Sequence, residues 1–479
     1  MSMHKRIGVC ALILCTVLLA QETNFLEDVV YDCGQNSDGL EIGDIDNDGK
    51  NELVVGNRHS QDFSIFRMKE GSWNEMEPYY THETKHAMGV IHIADINGDG
   101  LNDVILAHYE DYNTIPCDNK FGICYQNPST NMLDPETEYD LPSGQSSRAL
   151  GVGDLDGDGT PEIVVTNERS GSSMFVYGWN EERGDVELLG TYSGPSGYTI
   201  SISVGDVTGD GINDVVTHGS GIRVYPGTSG GNLGSYDSYN GGGESADIGD
   251  INNDGLNDVV GNTAYGNGIE TWVQTPSGKL QSVGETTSGG YTEDIEIVDI
   301  TDDSLVDAVT ASRDRSELWI YVQESGGLSQ DPVRYVGVQG KWLNELAAGD
   351  LNGNGYADVA GSNWGYSGVG GTYEGSVSVW FYDSPTGKLV HSSVKIPQKC
   401  DFTMSVTQNQ IKYNLFENER ISLSVTDLKG STQRIVTNEY RAAGQYYIPW
   451  NTYRKSSGAY FITMQTENEA KTQKFLFVK

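Results

Sequence analysis

Proline is scarce in this chain, 13 residues in 479, while glycine numbers 60. A chain that turns on glycine so often has many tight turns, which favours an all-β architecture. Basic residues are also few: 30 Lys and Arg face 68 Asp and Glu, for a formal charge of −38. Such a negative surface excludes the basic patches with which proteins hold nucleic acid or anionic membrane, and it favours cations. Beyond residue 20 no apolar run approaches the length needed to span a bilayer, so no transmembrane segment is expected in the mature chain. Hydrophobic residues make up only 37%, little for one bulky core, but 27 tyrosines suit the half-buried faces of many small sheets.

Lys5 and Arg6 precede the apolar run Ile7 to Ala20, and polar residues begin at Gln21. This is the order of a secretory signal peptide, assigned to residues 1–20, and it places the mature protein outside the cytoplasm. Without the signal, Cys33, Cys117, Cys124 and Cys400 remain, an even number in an oxidising compartment. Cys117 and Cys124 are expected to clip one loop, and Cys33 and Cys400 to tie the ends of the region between them. Charge divides at the same place: residues 21–400 hold 18 basic and 61 acidic residues, net −43, whereas 401–479 hold 10 and 7, net +3.

An acidic segment recurs along residues 21–400: GDIDNDGKNELVVG from Gly43, ADINGDGLNDVILA from Ala94, GDLDGDGTPEIVVT from Gly153, GDVTGDGINDVVTH from Gly205, GDINNDGLNDVVGN from Gly249, VDITDDSLVDAVTA from Val298 and GDLNGNGYADVAGS from Gly349. Their leading aspartates are spaced by 51, 59, 52, 44, 49 and 51 residues. A short alternating run precedes each segment, as in Leu40-Glu41-Ile42, and a β-branched run follows, as in Leu53-Val54-Val55; both read as strands. With two further strand-like runs per repeat, the units match four-stranded propeller blades. The expected fold is a seven-bladed β-propeller over 21–400, followed by a small β-sandwich over 401–479. Either Phe25 to Tyr31 or Lys388 to Ile396 can supply the outer strand of the last blade.

Within each segment, oxygen ligands at positions 1, 3, 5, 7 (the carbonyl) and 9 can converge on one ion, and hard oxygens in that number suit calcium. Loop one offers Asp44, Asp46, Asp48, Lys50 and Glu52; loop two Asp95, Asn97, Asp99, Leu101 and Asp103. Loop three offers Asp154, Asp156, Asp158, Thr160 and Glu162; loop four Asp206, Thr208, Asp210, Ile212 and Asp214. Loop five offers Asp250, Asn252, Asp254, Leu256 and Asp258; loop six Asp299, Thr301, Asp303 and Asp307; loop seven Asp350, Asn352, Asn354, Tyr356 and Asp358. Glycine at position 6 permits the sharp turn. A strand at position 9 or 10 excludes a helix-flanked EF-hand. Loops one, two, three and five are expected to bind best, loops four and seven less well, and loop six, with Ser304 in place of glycine, least.

These segments resemble the FG-GAP/VCBS repeats of calcium-binding propellers, a likeness covering roughly residues 24–400. It implies a calcium-binding propeller of the kind found in the integrin α-subunit head and in bacterial surface proteins; adhesins, lectins and some polysaccharide lyases share it. Residues 401–479 resemble the C-terminal sorting domain of type IX secretion substrates through Ile411 to Leu415, Val425 to Gly430, Ala443-Gly444 before Trp450, Ser457 to Phe461 and Lys474 to Lys479. That implies handling by the type IX secretion machinery and a secreted or cell-surface protein.

Two functions follow. The first is a non-catalytic module for a glycan or protein ligand at the cell surface. The second is a polysaccharide lyase, for which His82, His86 and His92 are the candidate bases and packing histidines the bland alternative, or a glycoside hydrolase, which needs paired carboxylates that 61 acidic residues do not single out. The ligand is expected opposite the acidic loops, because successive antiparallel strands reverse direction and bring the next connections out on the other face. There stand Arg58 and His59 in repeat one, Tyr109 and Tyr112 in repeat two, and Trp364 and Tyr366 in repeat seven. Aromatic rings among a few polar groups suit sugar faces or a protein hot spot.

Overall fold

The computed structural model describes residues 31–35, 37–58, 60–86, 88–108, 119–142, 147–167, 173–195, 201–263, 268–287, 290–337, 341–364, 374–383, 388–392, 402–406, 410–415, 419–427, 432–441, 444–449, 458–466 and 470–477. The signal segment and Cys400, with its expected bond to Cys33, lie outside them.

Each repeat folds into an antiparallel sheet whose strands pair in chain order. In the first, Ser37–Gly43 pairs with Glu52–Asn57, that with Asp62–Met68, and that with Met76–Glu83. The acidic loop is the turn between the first two strands. Among the described residues seven such sheets follow one another, with first strands Ser37–Gly43, Met88–Ala94, Ser147–Gly153, Ile202–Gly205, Ala246–Gly249, Thr292–Val298 and Trp342–Gly349. Each first strand touches that of the next sheet, and Ser37–Gly43 touches Trp342–Gly349, so the series closes on itself.

The core is distributed between the sheets. Leu53, Val55 and Phe66 of the first sheet pack on Ala360, Val377 and Phe381 of the last, and each other neighbouring pair shares a comparable buried cluster. A sheet covered on both faces needs continuous apolar strands rather than alternating ones. The second strands Glu52–Asn57, Asp103–His108 and Glu162–Asn167 are accordingly buried at every position. Position 2 of each loop contributes as well: Ile45, Ile96, Leu155, Val207, Ile251, Ile300 and Leu351 are all buried.

Of the candidate closing strands, Lys388 to Ile396 supplies Lys388–Ser392, whereas the segment before the first repeat pairs as Tyr31–Gln35, which meets the expected Phe25 to Tyr31 only at Tyr31; residues 25–30 lie outside the described ones. The third strand of the last sheet, Glu374–Asp383, is ten residues long. Its first half pairs with Tyr31–Gln35 and its second half with Lys388–Ser392, so the outer position is shared by chain segments from before the first repeat and after the last.

Residues 402–477 form two facing sheets. Phe402–Val406, Gln410–Leu415 and Gly444–Pro449 make one, and Thr432–Arg441, Glu419–Asp427, Gly458–Gln465 and Ala470–Phe477 the other. Ile411, Tyr413, Leu423, Val425, Ile462 and Met464 fill the space between them. No helix among the described residues is long and apolar enough to cross a membrane.

One sequence expectation is corrected. Cys124 is a free thiol and not the partner of Cys117, which lies outside the described residues. The strand Lys120–Cys124 buries Cys124 among Val54, Phe63, Ile65 and Leu106, where burial pushes the thiol pKa far up.

Candidate functional site

The seven acidic loops share one internal hydrogen-bond pattern. The position 1 carboxylate accepts the position 6 N–H at 2.8 to 2.9 Å in all of them, from Gly49 on Asp44 to Gly355 on Asp350. The position 5 side chain accepts the position 7 N–H, as in Lys50 to Asp48, Thr160 to Asp158 and Tyr356 to Asn354. These are Asx turns, which Asp and Asn form locally.

Position 9 is foremost an anchor. Asp103 accepts Ile96 N–H on one oxygen and Gln126 N–H on the other, so it pins the loop to the end of the third strand; Asp258, Asp307 and Asp358 bind Gln274, Gln323 and Tyr382 in the same way, and Asp214 binds Gly227. Glu52 and Glu162 are one methylene longer and take only the position 2 N–H, of Ile45 and Leu155. Burial raises all seven: Glu52 to about 8, Asp103, Glu162 and Asp358 to about 7, and Asp258 to about 6, with Asp214 and Asp307 also raised. A cation beside such a group would reverse this by favouring the ionised form.

Position 3 separates the loops into two kinds. In loops four to seven it donates to the position 9 carboxylate: Thr208 to Asp214, Asn252 to Asp258, Thr301 to Asp307 and Asn352 to Asp358. In loops one and three it is a carboxylate, Asp46 or Asp156. Among the described residues, three carboxylate oxygens lie within 4.8 Å of one another in two groups, Asp44 with Asp46 and Asp48, and Asp154 with Asp156 and Glu162. Loop two stands between, with Asn97 accepting Asp99 N–H rather than reaching Asp103. The residues of loops one and three therefore fit a hard divalent ion best.

Neighbouring loops are also tied to each other, a feature that the sequence reading did not find. Position 8 asparagines donate to the position 1 carbonyl of the preceding loop: Asn102 to Asp44, Asn213 to Asp154, Asn257 to Asp206, and Asn51 to Asp350 across the closure.

On the opposite face, the Arg58 guanidinium lies over the Trp364 ring at 5.6 Å and pairs with Asp38 at 3.2 Å. Trp364 stacks on Trp342 at 6.2 Å, and Trp342 carries Arg313 at 4.3 Å, which also lies 5.6 Å from Tyr291 and pairs with Glu293. Two of the expected ligand residues thus belong to a stack that crosses three sheets. Trp342, Arg313 and Tyr291 were missed because they are distant in sequence and come from strand ends. His59, Tyr109, Tyr112 and Tyr366 lie outside the described residues.

The three candidate histidines do not converge. His82 stacks on Phe63 and His86 binds Glu138, while His92 faces the central channel. In the channel, His92 Nε2 donates to the Leu150 carbonyl at 3.0 Å and Nδ1 meets Glu41 at 3.1 Å. A carbonyl only accepts, so Nε2 carries a hydrogen, and the Nδ1 contact requires a second, shared proton. Opposite, Asp247 accepts Ile297 N–H and Asp294 accepts Leu346 N–H and the Ser245 hydroxyl. Burial pushes Asp247 up to about 6 and raises Asp294 and Glu296.

Comparison with known families finds the same division of the chain. Residues 44–106 and 154–217 match the family described as FG-GAP-like repeat, 343–380 the FG-GAP repeat, and 397–479 the secretion system C-terminal sorting domain. No curated protein matches the chain. Among solved structures, the chain is similar to BBS1N in complex with ARL6DN, soaked with mercury, at 12% identity and a TM-score of 0.49, covering 73% of this chain and 97% of that one. It is also similar to Sqt1 of Saccharomyces cerevisiae, at 10% identity and a TM-score of 0.48, over 88% and 98% of the two chains. The chain carries FG-GAP repeats in an all-β, propeller-like body and a C-terminal sorting domain that marks it for secretion to the cell surface or beyond.

Proposed function

We propose that the repeat region, residues 21–400, is a calcium-stiffened, non-catalytic module that holds a glycan or protein ligand outside the cell, with residues 401–479 serving its export. The observation that carries the calcium reading is the contrast at position 3. Loops four to seven balance their buried position 9 carboxylate with a donated hydrogen bond. Loops one and three set a carboxylate there instead and gather three acidic oxygens. Like charges this close repel unless a cation lies between them. Loops one and three are accordingly the tight calcium sites, and the others are weaker.

The ligand reading rests on the opposite face, where the stacked Arg58, Trp364, Trp342 and Arg313 put rigid aromatic surface beside the acceptors Asp38 and Glu293. Ring faces and fixed polar groups together suit sugars or a protein hot spot. The test is to pass the calcium-loaded mature protein over a glycan panel and to read both retention and product release. Retention without product, lost in Trp364→Ala at unchanged calcium-dependent melting, supports the module. Steady release of cleaved sugar would overturn its non-catalytic character, and full retention by Trp364→Ala would remove this face.

A further inference from the structure

Three asparagine–glycine pairs fall within the acidic loops: Asn97–Gly98 at positions 3 and 4 of loop two, and Asn352–Gly353 and Asn354–Gly355 at positions 3 to 6 of loop seven. Asparagine is a labile residue, and it loses its amide most readily before glycine. The next backbone nitrogen reaches the side-chain Cγ through a five-membered ring, and glycine has no Cβ to obstruct the approach. In a folded chain two bonds oppose this reaction: one that ties up the attacking N–H, and one that holds the amide nitrogen that must leave.

Loop seven is closed on both counts. Gly353 N–H is donated to Asp350 at 2.8 Å and the Asn352 amide to Asp358 at 3.2 Å. Gly355 N–H is donated to Asp350 at 2.8 Å and the Asn354 amide to the Tyr382 carbonyl at 3.2 Å. Loop two is open on both. Neither the Gly98 N–H nor the Asn97 amide nitrogen has a hydrogen-bond partner among the described residues. Gly98 is exposed, so water reaches the pair. The Asn97 side chain is bound only through Oδ1, which accepts Asp99 N–H at 2.9 Å and so draws electrons from Cγ, the atom to be attacked.

We propose that Asn97 is a modification site at which the protein deamidates itself, giving loop two the position 3 carboxylate that loops one and three carry. Gly98 nitrogen gives up its proton and bonds to Asn97 Cγ; the Cγ–Nδ2 bond breaks, and Nδ2 leaves with that proton as ammonia. Water then opens the ring at Cγ, its hydroxyl forming the new carboxyl group and its hydrogen restoring the Gly98 N–H. Opening at the other ring carbonyl would lengthen the main chain by one carbon, a course opposed by Asp95, whose carboxylate holds the N–H groups of Asp99 and Gly100. The product repeats loop three, where Asp156 precedes Gly157. The gain in calcium affinity rests on the calcium reading; the loss of the amide does not.

The mature protein, freed of calcium, is incubated at neutral pH, and fragment mass spectra report amide or acid at each asparagine. The expected result is acid accumulating at Asn97 while Asn352 and Asn354 stay amides. Asn240, exposed and followed by Gly241 outside the acidic loops, shows that the conditions suffice. An intact Asn97 beside a converted Asn240, or conversion of Asn352 or Asn354 as fast as that of Asn97, overturns the site. Equilibrium dialysis of Asn97→Asp is expected to find one more tightly held calcium than in the fresh unmodified protein. If the unmodified protein holds calcium and Asn97→Asp adds none, the gain at loop two is overturned and the calcium reading stands. If neither holds calcium, that reading falls and the gain with it, whereas the mass spectra still decide the modification.

Discussion

Positions 4 and 6 of every acidic loop lie in the left-handed region of backbone space, and their side chains follow from that. Position 4 is Asn47, Gly98, Gly157, Gly209, Asn253, Asp302 or Gly353, and position 6 is glycine in six loops and Ser304, at φ 68°, in the remaining one. Asn and Asp tolerate this conformation; serine has less to gain there. Ser304 still donates its N–H to Asp299, so the turn is made under strain. Ser304→Gly is expected to stabilise the protein by about 1 kcal/mol, the left-handed penalty less the entropy that glycine adds to the unfolded chain, as read from denaturant unfolding. A companion prediction concerns loops one and three. Equilibrium dialysis is expected to find tight calcium in the unmodified protein, half of it lost in Asp46→Asn and nearly all in Asp46→Asn with Asp156→Asn. The same exchange at Asp210 would leave tight binding unchanged, because loop four already balances Asp214 with Thr208.

At the scale of elements, the asparagine latches decide how one hairpin fixes the next. Asn51 ties the first acidic loop to the last and thereby spans the closure. Asn51→Ala is expected to cost about 1 kcal/mol, the net worth of one hydrogen bond, and to raise hydrogen exchange at the seam of the first and last sheets more than Asn213→Ala does. Equal exchange at the seam in both variants would deny the closure any special weakness. These elements also show what could be read from sequence. The hairpins around each loop were legible because alternation and the aspartate turn are local signals, and the same holds for the seven strands of 402–477. What was not legible depends on which backbone a side chain meets. Position 9 reads as a ligand, and the sequence does not show that Asp103 also accepts the N–H of Gln126, 23 residues away, because that contact depends on the third strand ending beside it. The latches had a visible sign in the recurring asparagine before position 9, at Asn51, Asn102, Asn213 and Asn257, but their acceptor belongs to another repeat. His86 looked isolated because its neighbour His108 and its holder Glu138 reach it only through sheet pairing.

For the whole molecule, the ring is held at its centre by groups that share protons, and this makes its stability depend on pH in a definite direction. The groups facing one another there are Glu41, His92, Asp247, Asp294, Glu296 and Glu345. Burial opposes charge on His92, but the Glu41 carboxylate outweighs it and the pKa ends above its ordinary value of 6.5. A raised histidine contributes its full stability below the unfolded pKa and loses it as pH rises through the folded one. Asp247 is raised from 3.8 to about 6, chiefly by burial, so the folded ring retains a proton that the open chain has released, and stability again falls as pH rises across that interval. Both groups act in the same sense. With calcium held in excess throughout, the melting temperature is expected to decline from about pH 4 to beyond pH 7, the part below about 6 coming from the acids and the part above from His92. Asp247→Asn should flatten the lower part, because an amide oxygen still accepts Ile297 N–H but has no proton to lose. His92→Gln should flatten the upper part, because its amide can still donate to the Leu150 carbonyl without titrating. Calorimetry of the three proteins over this range separates the contributions. A wild-type curve that rises across the interval, or variants that keep the full decline, would place the control of stability outside the channel.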